Sequence, residues 1–245
     1  MHESELWVTK IFNDYLAGAG NAVLGIFGLH AENAARPWAN FITMQILVAA
    51  IIVVVFALLR PRLSVDKPGK FQHTFELLYN FLHGESEDQV GHDGPRYLAY
   101  FGTIFIFILF GNLIGIIPGF ESPTMVPSVP AGCALATFAY YNFVGMQAQG
   151  IGRYVAHFAG PMPLLAPLMF PIEIVSHLAR PLSLTIRLFA NMYAGEQVTQ
   201  VFLGLTYLLI PAVFMGLHVF VSFLQAYIFA LLTMMYVSGA VAHDH

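Results

Sequence analysis

Four charged side chains stand where the chain is otherwise nearly free of charge. Glu173, Arg180, Arg187 and Glu196 interrupt a long apolar stretch that runs almost to the C-terminus. In a bilayer, a charge at mid-depth costs roughly 2.5–3.5 kcal/mol on insertion scales, so it persists mainly where it faces protein or water. The spacing is informative. At about 100° per residue, Glu173, Ser176, Arg180, Ser183 and Asn191 all fall within about 40° of Arg187. One helix would therefore carry a polar seam about five turns long. The next apolar segment has its own stripe, His218, Ser222, Gln225 and Tyr236, at spacings of four, three and eleven. Glu196 lies on the opposite side of its helix from Arg187, close to the expected turn between the two segments. Glu196 and His218 could thus converge near one membrane surface, with Glu173 nearer the other and Arg187 between.

Such an arrangement suits proton passage. Glu and His change protonation near neutral pH once burial and neighbours act on them, and Asn, Ser and Gln can hold water. Arginine does not release its proton in practice. Between two titratable groups, Arg187 would block a continuous proton wire and attract a carboxylate. No intramembrane Asp or Glu is left over in this chain to be that carboxylate, so a partner should bring it. Blander roles compete at several positions. Arg180 could pair with Glu173 or anchor at the interface, Ser176, Ser183 and Ser222 could bond their own helix backbones, and His218 could be a satisfied core histidine.

These residues need a membrane scaffold, and the composition supplies one. The chain of 245 residues is 58% hydrophobic and 10% charged, against roughly 25% charged in an ordinary soluble domain. After Tyr97 the charged side chains are only Glu121, Arg153, Glu173, Arg180, Arg187, Glu196 and Asp244, too few to cover a water-soluble surface. A net charge of −4 gives no basic footprint for nucleic acid. Cys133 is the lone cysteine, which excludes a disulfide framework and a cysteine zinc site. There is no GxxxxGK loop to cradle phosphates. The acidic start, Met1-His2-Glu3-Ser4-Glu5, argues against a cleaved signal peptide. No cofactor or metal is expected.

A membrane helix needs about 20 apolar residues. Spans are expected at 41–59, 97–117, 129–148, 161–195 and 201–240, forming one membrane domain over 41–245. Residues 1–40 form an external or interfacial segment with short helices. The connector 60–96 carries Arg60, Arg62, Lys67, Lys70 and Arg96, half of the ten basic residues. The positive-inside rule places it in the cytoplasm, with the N-terminus outside and, by counting spans, the C-terminus inside. Within it, Phe71, Phe75, Leu78, Phe81 and Leu82 suggest an amphipathic helix, whereas 83–93 reads as a solvated acidic loop rather than a metal site. The His157–His177 pair likewise reads as unremarkable. The final 47 residues before Asp244 lack charge; as one helix they would be about 70 Å long, so Pro211 is a natural break and strong tilt is expected. The fold class is an all-α integral membrane protein with about five spans, the last two long and tilted, plus interfacial helices.

The decapeptide Arg187-Leu188-Phe189-Ala190-Asn191-Met192-Tyr193-Ala194-Gly195-Glu196 closely resembles the signature of the subunit a family of bacterial F-type ATP synthases. The stretches Pro171-Ile172-Glu173, Arg180 to Leu184, Gly111 to Phe120 and Leu224 to Phe229 are similar to that family too. The resemblance implies a stator packed against a rotating ring of c subunits, with a b-subunit peripheral stalk and, indirectly, a soluble ATPase head as partners, in the bacterial inner membrane. It implies that Arg187 is the essential arginine that meets the ring's carboxylates. Glu196, His218, Asn191 and Gln225 would belong to an outer half-channel, and Glu173, Ser176 and Ser183 to an inner one. The chain itself would carry no catalytic residue. Some relatives have an acid just after the asparagine equivalent to Asn112; here Glu121 is a candidate substitute. Two other readings are weaker. A secondary transporter would show inverted repeats and broken helices, and a membrane metallohydrolase would show a ligand pair such as HExxH.

Overall fold

The computed structural model describes residues 5–26, 28, 33–64, 68–117, 119–150, 152, 154, 166–205 and 209–241. Among them there is no strand. Seven helices follow in order: α1 (Trp7–Ile26), α2 (Asn40–Leu59), α3 (Lys70–Val90), α4 (Gly94–Ile114), α5 (Ser128–Gln149), α6 (Ala166–Leu205) and α7 (Leu209–Val241). Single 3₁₀ turns sit at Arg60–Arg62 and Pro123–Met125. Among the described residues, three segments are long and apolar enough to cross a membrane: Asn40–Arg62, Gly94–Ile114 and Ile210–Val241. The chain is thus an all-helical integral membrane protein.

The core lies where α4, α5, α6 and α7 meet. Phe101, Phe105 and Ile108 of α4, Tyr141 of α5, Leu188 and Met192 of α6, and Ala226, Ala230 and Val237 of α7 are fully buried there. Small residues let these helices approach, as is common in membranes, where packing rather than water exclusion drives association. At Gly145 of α5 a β-carbon would stand 3.1 Å from Ala240 of α7 and would also strike the Tyr154 ring.

Two of the sequence expectations change. The helix expected to end at 195 is longer than that. It runs through Pro171 and Pro181 and on to Leu205, so the helix continues past 195 and the next begins at Leu209 rather than near 201. A proline inside a helix frees a carbonyl, which membrane helices tolerate when hydroxyls and neighbouring helices re-satisfy the local backbone. Pro181 frees the His177 carbonyl; beside it, Thr185 Oγ1 donates to the Pro181 carbonyl at 2.8 Å and Ser183 Oγ to that of Arg180 at 3.0 Å, so the hydroxyls reinforce neighbouring carbonyls rather than the freed one. Pro211 sits in the first turn of α7, where its missing N–H costs nothing. Pro161 and Pro163 lie outside the described residues.

The second change is at 83–90, which is not a loop but the last two turns of α3. Gly91, with φ of 81°, ends that helix, and its N–H returns to the Glu87 carbonyl; such a left-handed position favours glycine. Leu82 and Ser86 are buried on the face toward α4, while Phe71 and Phe81 of the apolar set stay exposed. α1 behaves similarly. Its buried residues include Thr9 and Asn13, tied to Thr43 at 2.7 Å and to Trp38, whereas Trp7, Ile11, Tyr15 and Ile26 face outward.

Gly145→Val should overpack the α5–α7 contact. Overpacking costs about 1–3 kcal/mol, so thermal melting of the detergent-solubilised protein should shift down by several degrees, while Gly132→Val, which meets nothing within 4 Å, should leave it nearly unchanged.

Candidate polar site in the α5–α6–α7 bundle

The two faces of α6 are chemically distinct. His177, Leu184, Leu188 and Met192 are buried against the bundle. Ser176, Ser183, Arg187 and Asn191 are exposed along the flank of that buried face, between it and the exposed apolar residues Val175, Leu182, Ile186 and Tyr193. Arg187 therefore projects from a largely apolar surface. Among the described residues, no carboxylate lies within ion-pair distance of it.

The seam read from the sequence is not uniform. Glu173 and Arg180 are half-buried, and of the two roles open to Arg180 the ion pair with Glu173 is not formed among the described residues. Instead the Arg180 guanidinium lies over the Tyr236 ring of α7, 5.2 Å from its centroid, and 6.0 Å from that of Tyr141 of α5. An aromatic face attracts a cation without the hydration a carboxylate needs, which suits an apolar bundle. Ser183 does bond its own backbone.

Toward the C-terminal end of α6, Glu196 and His218 come together around Gly195. A β-carbon at 195 would sit only 2.8 Å from His218 Nδ1, so glycine is what lets the imidazole lie against α6. Glu196 acts electrostatically on that ring, and Gln200 Nε2 donates to its Oε1 at 3.1 Å. Glu196 lies about 14 Å before the end of α6, not at the turn. Below His218 on α7, Ser222 and Gln225 are also buried. His218 Nε2 and Ser222 Oγ have no hydrogen-bond partner among the described protein atoms. Buried polar atoms of this kind are rare because they are costly, and a bridging water or a functional role usually accounts for them.

Sequence reasoning missed two polar groups. Asn112 of α4 is fully buried; its Nδ2 donates to the Ser222 carbonyl at 3.4 Å, and its Oδ1 accepts from Thr124 Oγ1 at 2.6 Å. Ser122 joins through Thr124 at 2.7 Å. Glu121 accepts a hydrogen bond from Asn40 Nδ2, at the start of α2, at 3.5 Å. The second group joins α5 to α6. His177 Nε2 lies 3.0 Å from Asn142 Oδ1 and 3.2 Å from the Tyr141 hydroxyl, and the Tyr154 hydroxyl donates to Asn142 Oδ1 at 2.9 Å. In the sequence, Tyr141 and Asn142 merely diluted an apolar span; helical spacing cannot reveal a partner on another helix. His157, the other half of the histidine pair, and Arg153 lie outside the described residues. Among the described residues no group of three His, Cys, Asp or Glu could hold a metal. A cleft of about 880 Å³ between α2, α3 and α4 is lined mostly by apolar side chains and touches none of these polar groups.

Fold and site together define a helical membrane protein with an unpaired arginine on one helix face and buried titratable groups between helices. The profile of the ATP synthase A chain family matches residues 42–238. The chain is 78% identical over 235 residues to the ATP synthase subunit a of Solibacter usitatus, covering 96% of this chain and all of that one. It is 46% identical to the ATP synthase subunit a of Koribacter versatilis, with 98% of each covered. The ATP synthase subunit a of a Sulfurihydrogenibium species is 40% identical over 82% of this chain and 97% of that one. The chain belongs to the subunit a family of bacterial F-type ATP synthases, and so to a membrane complex that translocates protons.

A double-mutant cycle should separate the two pairings of Arg180. Coupling between Arg180→Gln and Tyr236→Leu is expected at about 0.5–2 kcal/mol. Coupling between Arg180→Gln and Glu173→Gln should fall near zero. Thermal unfolding of the detergent-solubilised protein is the measurement.

Proposed function

We propose that this chain is the stator proton channel of its ATP synthase, carrying protons to and from carboxylates on a rotating ring of c subunits. The observation that carries this reading is Arg187, exposed on a largely apolar face of α6 with no carboxylate of its own chain in reach among the described residues. An arginine so placed in a membrane calls for an anionic partner. A carboxylate on each passing c subunit provides one. Because the guanidinium stays protonated, it stops protons from crossing directly between the two sides.

Two half-channels are assigned on this reading, and the positions of the titratable groups along α6 support it. Along α6, Glu173 precedes Arg187 by about 21 Å and Glu196 follows it by about 14 Å. Glu196, His218, Asn191 and Gln225 form the outer half-channel, and Glu173, Ser176 and Ser183 the inner one. A proton entering on the outer side neutralises a ring carboxylate, which can then leave Arg187 and move into the apolar membrane. After nearly a full turn it is released on the inner side, and the recharged carboxylate returns to the arginine. For turnover the pair must stay partly hydrated, since a dry, fully satisfied ion pair would be hard to break.

The chain sits in the bacterial inner membrane with its N-terminus outside and its C-terminus in the cytoplasm, five helices crossing. At about 60 Å and 50 Å, α6 and α7 exceed the roughly 30 Å hydrocarbon core, so they cross at a strong tilt along the ring. The b-subunit peripheral stalk holds the chain against rotation and links it to the soluble ATPase head, where the chemistry of ATP occurs.

Removing one partner of a buried ion pair costs about 3–5 kcal/mol, equivalent to roughly a hundredfold or more in rate. ATP-driven proton pumping in vesicles should therefore fall by that order in assembled Arg187→Ala and Arg187→Lys complexes, with Phe143→Leu unaffected. Vesicles stripped of the head should also leak protons passively in the alanine variant. Normal pumping by assembled Arg187→Ala complexes would overturn the stator assignment.

A further inference from the structure

The His177 cluster is not used by the mechanism above. His177 is 9% exposed and packs between α6 and the Phe138, Tyr141 and Asn142 side chains of α5. Its tautomer follows from its neighbours. Asn142 Nδ2 is committed to the Phe138 carbonyl at 2.6 Å, which turns Oδ1 toward Tyr154 and His177. A carbonyl oxygen only accepts, so His177 Nε2 carries the hydrogen that points at Asn142. The second ring nitrogen, Nδ1, is then the atom that can gain and lose a proton. The charged and titratable groups around the ring are Glu173 and Arg180 on its own helix, Tyr141 on α5, and Tyr154 through Asn142. Tyr236 of α7 faces Tyr141 and Arg180. Glu173 and Arg180 thus set a carboxylate and a guanidinium, of opposite charge, beside the ring.

We propose that His177, oriented by Asn142, is a proton-exchange group of the inner half-channel, a role that rests on the stator reading above. It lies about 15 Å from Arg187 along α6, with Glu173 one turn beyond. A proton released from the ring of c subunits bonds to Nδ1 and makes an imidazolium whose Nε2–H remains on Asn142 Oδ1. The same proton then leaves Nδ1 for the Glu173 carboxylate, and the neutral ring is restored. Only the N–H and O–H bonds of that one proton are made and broken. Asn142 is a positioning residue here, since it holds the tautomer and takes no proton.

His177→Gln tests this, because glutamine keeps a donor for Asn142 but cannot carry a second proton. In vesicles stripped of the ATPase head, passive proton conduction should fall about tenfold and lose the inflection that an imidazole gives at roughly pH 5 to 8 on the cytoplasmic side. Wild-type conduction with an unchanged pH profile in assembled His177→Gln complexes would overturn the proposal and leave His177 a packing residue. If His177→Gln does not assemble, Tyr154→Phe decides. It removes the hydroxyl that shares Asn142 Oδ1 with the histidine, so the inflection should move; an unmoved inflection would overturn the proposal. Arg187→Ala, assayed alongside, separates the two claims. Pumping lost there but intact in His177→Gln would sink only the histidine's role, whereas pumping intact in Arg187→Ala would sink the stator reading itself.

Discussion

The free-energy cost of a polar group in an apolar medium governs this molecule. With few charged side chains beyond Tyr97, each one has to be met by something specific. Arg180 finds two aromatic rings, His177 finds an amide and a phenol, and Asn112 finds a backbone carbonyl and a threonine. Each of these matches joins different helices, so the polar groups also set which helices meet. Arg187 has no carboxylate within ion-pair distance among the described residues, which is why the proposed reading looks for its match on a partner.

Helix packing follows from the same constraint. Lipid tails are as apolar as leucine, so apolar burial alone does little to bring membrane helices together. Close approach does, and it occurs where the side chain is missing or small: Gly145 against Tyr154 and Ala240, and Gly195 against His218. The second contact ties packing to chemistry, because the absent side chain at 195 is what brings a titratable imidazole against the helix that carries Glu196. The α4–α7 core behind it, with Phe101, Phe105 and Ile108 fully buried, holds α7 in place while one face of α6 stays exposed.

The prolines of α6 show where local rules yield to context. Pro171 and Pro181 would each argue for a break in a soluble helix. In the bundle the helix continues to Leu205, because leaving a helix in an apolar medium exposes several backbone groups, whereas tolerating a proline exposes one. The acidic end of α3 is a second case. Its composition looked like a solvated loop, yet the signal for a helix end was present at Gly91, and the helix runs up to it.

Much of the protein follows from residue type and spacing alone. The scarcity of charge makes it a membrane protein, the apolar lengths make it helical, and the 100° rotation per residue places Glu173, Arg180 and Arg187 near one face of one helix. The decapeptide from Arg187 to Glu196 carries the family. What spacing along one helix cannot contain is the partner on another. Only the tertiary structure turned Arg180 away from Glu173 and onto Tyr236, brought Asn142 and Tyr154 to His177, and buried Asn112 under Ser222. Periodicity reports which way a side chain points, whereas the free energy of a buried polar group is decided by what stands opposite it.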